Sequence, residues 1–109
     1  MKDITQRTFN FALRTIKLCQ SLNERFSAEK SVLAKQLLRS ATSIGANVEE
    51  AQAGQSKPDF ISKMAIALKE AREANYWLRL LEASEMLPKE KLAELLIESE
   101  EIKKSSEQS

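Results

Sequence analysis

The stretches QLLRSATSIGANVEEA, at residues 36–51, and SKPDFISKMAIALKEAREANYWLRLL, at residues 56–81, decide the fold of this chain. At about 100° per residue, small and aliphatic side chains recur at helical spacing in both stretches. Gly54 lies between them, and glycine is common just after the end of a helix. Pro58 lies near the start of the second stretch, and proline is common in the first turn of a helix. The pattern predicts two antiparallel helices that fold back on each other about residues 54–56.

The same periodicity continues on both sides of this hairpin. We predict four helices, at residues 4–24, 28–53, 58–84 and 89–104. Short connections between long amphipathic helices are typical of an all-α, antiparallel, up-down-up-down four-helix bundle. Residues 1–104 are expected to form this single domain, and the polar tail at residues 105–109 is expected to fray.

Local signals mark several helix ends. The Ser27 hydroxyl is expected to cap the second helix by accepting from a free N–H group of its first turn. Gly54 is expected to end that helix in the left-handed conformation, which glycine adopts at little cost. Pro58 suits the first turn of the third helix, and the Asp59 carboxylate suits its positive end.

Composition excludes several classes of function. The chain of 109 residues has no histidine, one cysteine, and 17 Lys and Arg against 16 Asp and Glu. Histidine-based catalysis and histidine-dependent metal sites are therefore excluded, and an intrachain disulfide cannot form. Cys19 is interpreted as a small hydrophobic residue of the first helix. With no apolar run of about 18 residues and no apolar signal segment, we expect a cytoplasmic protein that does not enter a membrane.

Two predicted helices carry more apolar surface than one bundle needs. Besides its core stripe, the first helix has a second set of large apolar side chains, and the third helix has a set roughly 100–140° from its own core stripe. Such extra faces indicate a partner surface, and a second copy of the chain is the simplest partner. The alternative is that they are ordinary exposed hydrophobic residues. The expected interface residues are Phe9, Leu13, Ile16, Ile66, Trp77 and Leu80.

Polar residues flank the core of the second and third helices. Hairpin geometry places Arg39 at the level of Glu70 and Glu73, so we expect ion pairs between them. A carboxylate metal centre is the alternative, but the Glu-x-x-Glu motif lacks the histidines of bundle di-metal sites. Glu50 is expected to be solvated or paired. Asn47 and Asn75, near the core faces of the second and third helices, are expected to bridge backbone or side-chain groups and to fix the packing register. We therefore predict no metal, no cofactor and no catalytic residue.

One basic stripe follows the first helix. Its members are candidate contacts for the phosphates of RNA or DNA, and an oligomer would multiply those contacts. A solvated charged face with no ligand is the alternative. If nucleic acid is not bound, the apolar faces predict a protein-interaction scaffold instead. The candidate nucleic-acid contacts are Arg7, Arg14, Lys17 and Arg25.

Two runs of residues resemble a known family. The first run comprises Arg39, Ser40, Ser43, Ile44, Asn47 and Glu50. The second comprises Asp59, Phe60, Ile61, Ala67, Glu70, Glu73, Tyr76, Trp77 and Leu78. In these runs, and over nearly its whole length, the chain resembles the small bacterial four-helix-bundle proteins first noticed as open reading frames in intervening sequences of 23S rRNA genes, which are often labelled ribosomal-protein-like.

The resemblance implies an antiparallel four-helix bundle that assembles into a ring-like homo-oligomer, commonly a pentamer, without a known catalytic activity or cofactor. A related branch, the accessory variability determinant of diversity-generating retroelements, binds nucleic acid and a reverse transcriptase. Its members tend to be strongly basic, whereas this chain has a pI of about 7.8. Together, the resemblance and the residue patterns predict a self-associating bundle that binds nucleic acid or a protein that handles nucleic acid.

Overall fold

The computed structural model describes residues 2–22 and 27–107. These residues form four helices, which confirms the predicted all-α fold. The fourth helix continues three residues past the predicted end at Lys104, so part of the tail that was expected to fray is helical. The helices are α1 (Lys2–Ser21), α2 (Ala28–Gln52), α3 (Lys57–Ala83) and α4 (Lys89–Glu107).

Each helix packs against the next one along the chain, and α4 returns to pack against α1. Pairs of contacts give the directions of the helices. Arg39 of α2 reaches Glu70 and Glu73, whereas Glu50, further along α2, reaches Lys63 at the beginning of α3. Rising numbers on α2 thus meet falling numbers on α3, and the two helices are antiparallel.

The first two helices are antiparallel as well. Cys19, near the end of α1, contacts Ala34 early in α2, whereas Thr8, near the beginning of α1, lies against Gly45 further along α2.

The first and last helices follow the same rule. Arg7 of α1 binds Glu98 of α4, and Arg14 binds Glu94, so α1 and α4 also run in opposite directions. The result is the up-down-up-down bundle that the short connections predicted.

The core is one continuous stripe per helix, as the periodicity predicted. Alanines recur in it and are completely buried, which lets α2 and α3 approach closely. The contact between these two helices is the most extensive in the bundle. The larger of two clusters of buried apolar side chains comprises Phe11, Leu18, Leu37, Ala41, Ile44, Ala71, Ala74, Leu78, Leu81, Leu92, Leu95 and Ile102. The smaller cluster comprises Ile4, Val48, Ala51, Met64 and Ala67.

Glycine allows a close approach between α1 and α2. A Cβ atom added to Gly45 would stand 3.4 Å from the backbone carbon and oxygen of Thr8. The buried hydroxyl of Thr8 donates to the carbonyl of Ile4 in its own helix, which satisfies it without a partner from α2. The two backbones therefore pack with almost nothing between them.

The expected ends of α2 are half right. The prediction for Ser27 is confirmed, because its side chain accepts from the backbone N–H of Lys30. The prediction of a left-handed Gly54 is wrong, since no glycine in the described part of the chain has a positive φ. An added Cβ at Gly54 would lie 2.7 Å from Oδ2 of Asp59, a side-chain end that can move away, and 3.1 Å from the backbone oxygen of Ala51, which is a tight contact.

The left-handed residue lies at the end of α3. Glu85 has a φ of 58°, and its N–H donates to the carbonyl of Glu82. The N–H of Met86 donates to the carbonyl of Leu81. These two bonds form the Schellman arrangement, which is normally closed by glycine. A glutamate in this conformation carries a steric cost that glycine does not have.

We predict that Glu85→Gly stabilises the protein. Relief of the left-handed strain outweighs the backbone entropy of glycine, and the free energy of unfolding should rise by about 0.5–1 kcal/mol. Urea denaturation followed by circular dichroism measures the change. Glu85→Ala, which keeps a Cβ at the same position, is the control and should give no such gain. A destabilised Glu85→Gly protein would contradict this account.

Candidate interaction surface

The second apolar face of α1 is open to solvent, as its helical spacing predicted. Phe9 is 55 % exposed, and Leu13 and Ile16 on the same side of the helix are also exposed. These three side chains, called here the α1 row, lie away from the core stripe of Ile4 and Phe11. Three large apolar groups in a row on one helix are more than isolated surface hydrophobic residues.

The second face of α3 is only partly open. Ile66 is 37 % exposed, whereas Trp77 and Leu80 are half-buried. The Trp77 ring packs against the larger core cluster, and its Nε1 donates to Oε2 of Glu73 at 3.1 Å. Tyr76 contacts the Trp77 ring edge-on, with 5.1 Å between the ring centroids. Trp77 is therefore shared between the core and the surface.

Arg39 joins α2 to α3 as the hairpin register predicted. Its Nη1 lies 3.5 Å from Oε1 of Glu70, and its Nη2 pairs with Oε2 of Glu73. Glu70 is buried, while about half of the Arg39 side chain is exposed. Gln36 accepts from Arg39 on the open side. Arg39 thus compensates a carboxylate that has little access to water.

The remaining predicted polar residues have different roles. Glu50 pairs with Lys63 at 2.9 Å, and this hydrogen bond raises the pKa of the Lys63 ammonium. Asn47 donates to the carbonyl and hydroxyl of Ser43, one turn earlier on α2. The amide nitrogen of Asn47 thus bridges two groups of its own helix, as predicted, whereas its role in the packing register stays a prediction.

Asn75, for which the same role was predicted, links two helices. This buried amide donates from Nδ2 to the hydroxyl of Ser99 on α4 at 2.9 Å. Its oxygen accepts from Nε of Arg79 at 2.9 Å, and the Arg79 guanidinium lies over the ring of Tyr76. The residue type is the one that buried positions of bundles use to set register.

The basic stripe of α1 faces carboxylates of α4. Nε and Nη2 of Arg7 bind the two oxygens of Glu98 at 2.8 and 3.0 Å, in the two-pronged geometry that arginine favours. Arg14 binds Glu94 at 2.9 Å. Lys17 is exposed. Arg25, the fourth predicted contact, lies outside the described residues.

Sequence reasoning missed the two carboxylates that meet this stripe. Glu94 and Glu98 stand four residues apart, so they lie on one face of α4. Arg7 and Arg14 stand seven residues apart and share a face of α1 in the same way. The sequence shows these spacings, but it does not show the register in which the first and last helices pack against each other.

A groove opens between the end of α1 and the beginning of α2. It has a volume of about 310 Å³ and is lined mainly by apolar and small residues, among them Ile16, Ala34 and Leu38. Cys19 also lines it, and its thiol donates to the carbonyl of Ala34 at 3.7 Å. Burial raises the pKa of this thiol, because it disfavours the thiolate. Cys19 therefore has the character expected of a small hydrophobic residue.

Within residues 2–22 and 27–107, no three acidic or cysteine side chains come together as a set of metal ligands. Over the same part of the chain, no helix combines the length and the apolar character needed to cross a membrane.

The fold and the surface together define a class: small all-α four-helix bundles that expose large apolar side chains on their outer faces. A family model described as "23S rRNA-intervening sequence protein" matches residues 2–108. The chain therefore belongs to this family, which confirms the resemblance seen in its sequence.

A solved structure supports the assignment. The chain is similar to a protein of unknown function from the S23 ribosomal protein family of Bacteroides thetaiotaomicron VPI-5482, whose crystal structure was determined at 1.70 Å resolution. The two share 42 % sequence identity over 94 % of each chain, with a TM-score of 0.84. A comparison with proteins of curated function gave no match.

We predict that Arg39→Met destabilises the bundle. Methionine keeps much of the apolar stem but leaves the buried Glu70 carboxylate without its cation, so the free energy of unfolding should fall by about 1–3 kcal/mol. Arg14→Met is the matched control, because its partner Glu94 is highly exposed and such pairs contribute only about 0–1 kcal/mol. Urea denaturation of both variants gives the comparison, and equal losses would contradict the role assigned to Arg39.

Proposed function

We propose that this protein is a non-enzymatic, self-associating bundle that acts as a protein-interaction scaffold. The observation that carries the proposal is the α1 row, Phe9, Leu13 and Ile16, which an isolated bundle leaves in water. Ile66 on α3 adds a second exposed position. A second copy of the chain would remove these side chains from water, and the gain would be roughly 25 cal/mol for each Å² of apolar surface covered.

The family resemblance supports a ring-like homo-oligomer, with a pentamer as the expected size. Rings form when one surface of a subunit meets a different surface of the next and the rotation closes. A bundle with several distinct apolar surfaces is suited to that arrangement. Assembly would also explain how a chain this small presents a surface large enough to bind another macromolecule.

Several features support a function other than catalysis. The chain has no histidine. The thiol of Cys19, its one cysteine, donates to the backbone carbonyl of Ala34, and burial raises the pKa of this thiol. The buried carboxylate Glu70 is paired with Arg39. Enzymes usually bring such groups together in a cleft and perturb their pKa values for the reaction.

The type of partner follows from the α1 stripe. Because the guanidinium groups of Arg7 and Arg14 are already held by Glu98 and Glu94, they offer little net positive charge to a phosphate backbone. This pairing favours a protein partner over direct contact with nucleic acid. The partner can still be a protein that handles nucleic acid, as the resemblance implies.

We predict that Ile66→Glu weakens self-association. A carboxylate at a contact between copies would have to be buried without a partner, so the dissociation constant should rise at least about tenfold. Ile61→Glu is the matched control, because Ile61 is 54 % exposed on the same helix and is not an expected contact. Light scattering over a dilution series measures both variants, and circular dichroism verifies folding. If both variants assemble as the unmodified protein does, the α3 contact is wrong.

Nucleic-acid binding is the second candidate function. The exposed Lys17, together with Arg14, whose side chain is 42 % exposed, supports it. The description of the family, "23S rRNA-intervening sequence protein", supports it as well. In this case the α1 arginines would exchange glutamate for phosphate when nucleic acid binds.

For this candidate, we predict that Lys17→Glu weakens binding to single-stranded RNA. Each lost phosphate contact should reduce the slope of log affinity against log salt by about 0.7. Lys104→Glu, which makes the same charge change on α4, is the control and should leave the slope unchanged. Fluorescence anisotropy of a labelled RNA between low and moderate salt gives the slopes. Binding that does not respond to salt, or no binding at low salt, would contradict the candidate.

A further inference from the structure

We propose that the α1 row of one copy packs on the middle of α2 in a second copy. The inference rests on the self-association proposed above and assigns the surface that receives the row. This surface consists of Thr42, Ser43, Ala46 and Asn47 and is called here the α2 face. Thr42 and Ala46 are exposed, and Ser43 and Asn47 are half-buried.

The α1 row has almost no charged neighbours. Residues three or four positions apart adjoin each other on the surface of a helix. Of the residues at this spacing from Phe9, Leu13 and Ile16, only Lys17 is charged, although charged residues make up 30 % of the chain. Charged residues are depleted at the core of a protein interface, because a buried charge must lose its water. The row therefore has the composition of an interface core.

The α2 face shows the same depletion. It lies in residues 40–48, nine residues between Arg39 and Glu49 that form the longest uncharged run of the chain. Its exposed side chains are small, so the side chains of a second helix can pack close to its backbone. The hydroxyl of Thr42 donates to the carbonyl of Leu38 in its own helix, which satisfies it when it is covered. The α2 face can therefore receive large apolar side chains without burying a charge.

Asn47 adds a hydrogen-bond acceptor to the α2 face. Its Nδ2 donates to the carbonyl and the hydroxyl of Ser43, whereas its Oδ1 accepts no bond within residues 2–22 and 27–107. Asn10, which is exposed beside the α1 row, is the complementary group. Its Oδ1 accepts from Gln6 at 3.1 Å, whereas its Nδ2 donates to no group in the same part of the chain. A contact between copies brings such an amide donor to the open acceptor.

Ile66 extends the receiving surface onto α3. The pairs Arg39–Glu73 and Glu50–Lys63 join α2 to α3 on either side of it. Between these two pairs lie the α2 face on one helix and Ile66, which is 37 % exposed, on the other. One docked α1 row can therefore cover the α2 face and Ile66 together.

The proposed contact joins two different surfaces. A contact between two α1 rows would set large side chains against large ones and would leave the α2 face and Ile66 in water. The α2 face borders α3, whereas the α1 row lies on the outer side of α1, so the two surfaces of one chain do not cover each other. Each copy then offers one surface to each of two neighbours, and such head-to-tail contacts form a ring when the rotation closes.

The test uses chains with one introduced cysteine each, made in the Cys19→Ser background. Leu13→Cys and Ala46→Cys chains, one of them enlarged by a tag, are mixed, left to exchange subunits and oxidised with copper–phenanthroline. We expect a disulfide-linked pair with one chain of each kind on a non-reducing gel, at about ten times the level that Leu13→Cys gives with Ile61→Cys. Ile61 is the matched control, because it is 54 % exposed on α3 but is not part of the proposed contact.

The same gel separates this contact from its alternatives. If Leu13→Cys chains link to each other more than to Ala46→Cys chains, two α1 rows meet and the α2 assignment is wrong. If the mixed pair does not exceed the Ile61→Cys control while light scattering still detects assemblies, the α2 assignment is wrong and the proposed self-association stands. If light scattering finds only monomers of the unmodified chain, self-association fails and this contact fails with it.

Ala46→Glu gives an independent measurement without a cross-link. The dissociation constant of the assembly should rise at least about tenfold, because the new carboxylate would be buried without a partner. Ala93→Glu is the matched control, since Ala93 is also an exposed alanine but lies on α4. Light scattering over a dilution series compares the two variants, and equal dissociation constants would contradict the assignment.

Discussion

The close packing of α2 against α3 is the constraint on which the rest of the structure depends. Ala41, Ala71 and Ala74 are completely buried in the core, and small side chains allow two helices to approach each other. The buried face of α3 thus combines alanines with larger residues such as Leu78 and Leu81. Ile66 of the same helix lies outside that face and adds to the apolar surface of the bundle.

The hairpin also places the buried charge. Because α2 and α3 are antiparallel, Arg39 meets both Glu70 and Glu73, and Glu73 in turn accepts from the indole of Trp77. The ion pair, the half-buried ring and the open surface at Ile66 are therefore parts of one region. A stability effect at Arg39 and an assembly effect at Ile66 can be separated, because the first residue satisfies a buried carboxylate and the second contacts water.

Local periodicity was sufficient to predict the helices, the core stripes and the pairing of Arg39. Each of these follows from residues within one helix or across one short turn. The partners of Arg7 and Arg14 could not be predicted, because Glu98 and Glu94 lie 91 and 80 residues away and only the closed bundle sets their register. The left-handed Glu85 was missed for another reason: glutamate has no preference for that conformation, so the sequence contained no signal.

The central claim is that one bundle leaves the α1 row in water and that other copies of the chain cover it. Sedimentation equilibrium of the unmodified protein at tens of micromolar tests this claim most directly. The account predicts a molecular mass that is a whole multiple of 12.3 kDa and that falls toward the single chain on dilution. A mass of one chain at all of these concentrations, with a folded circular dichroism spectrum, would contradict it.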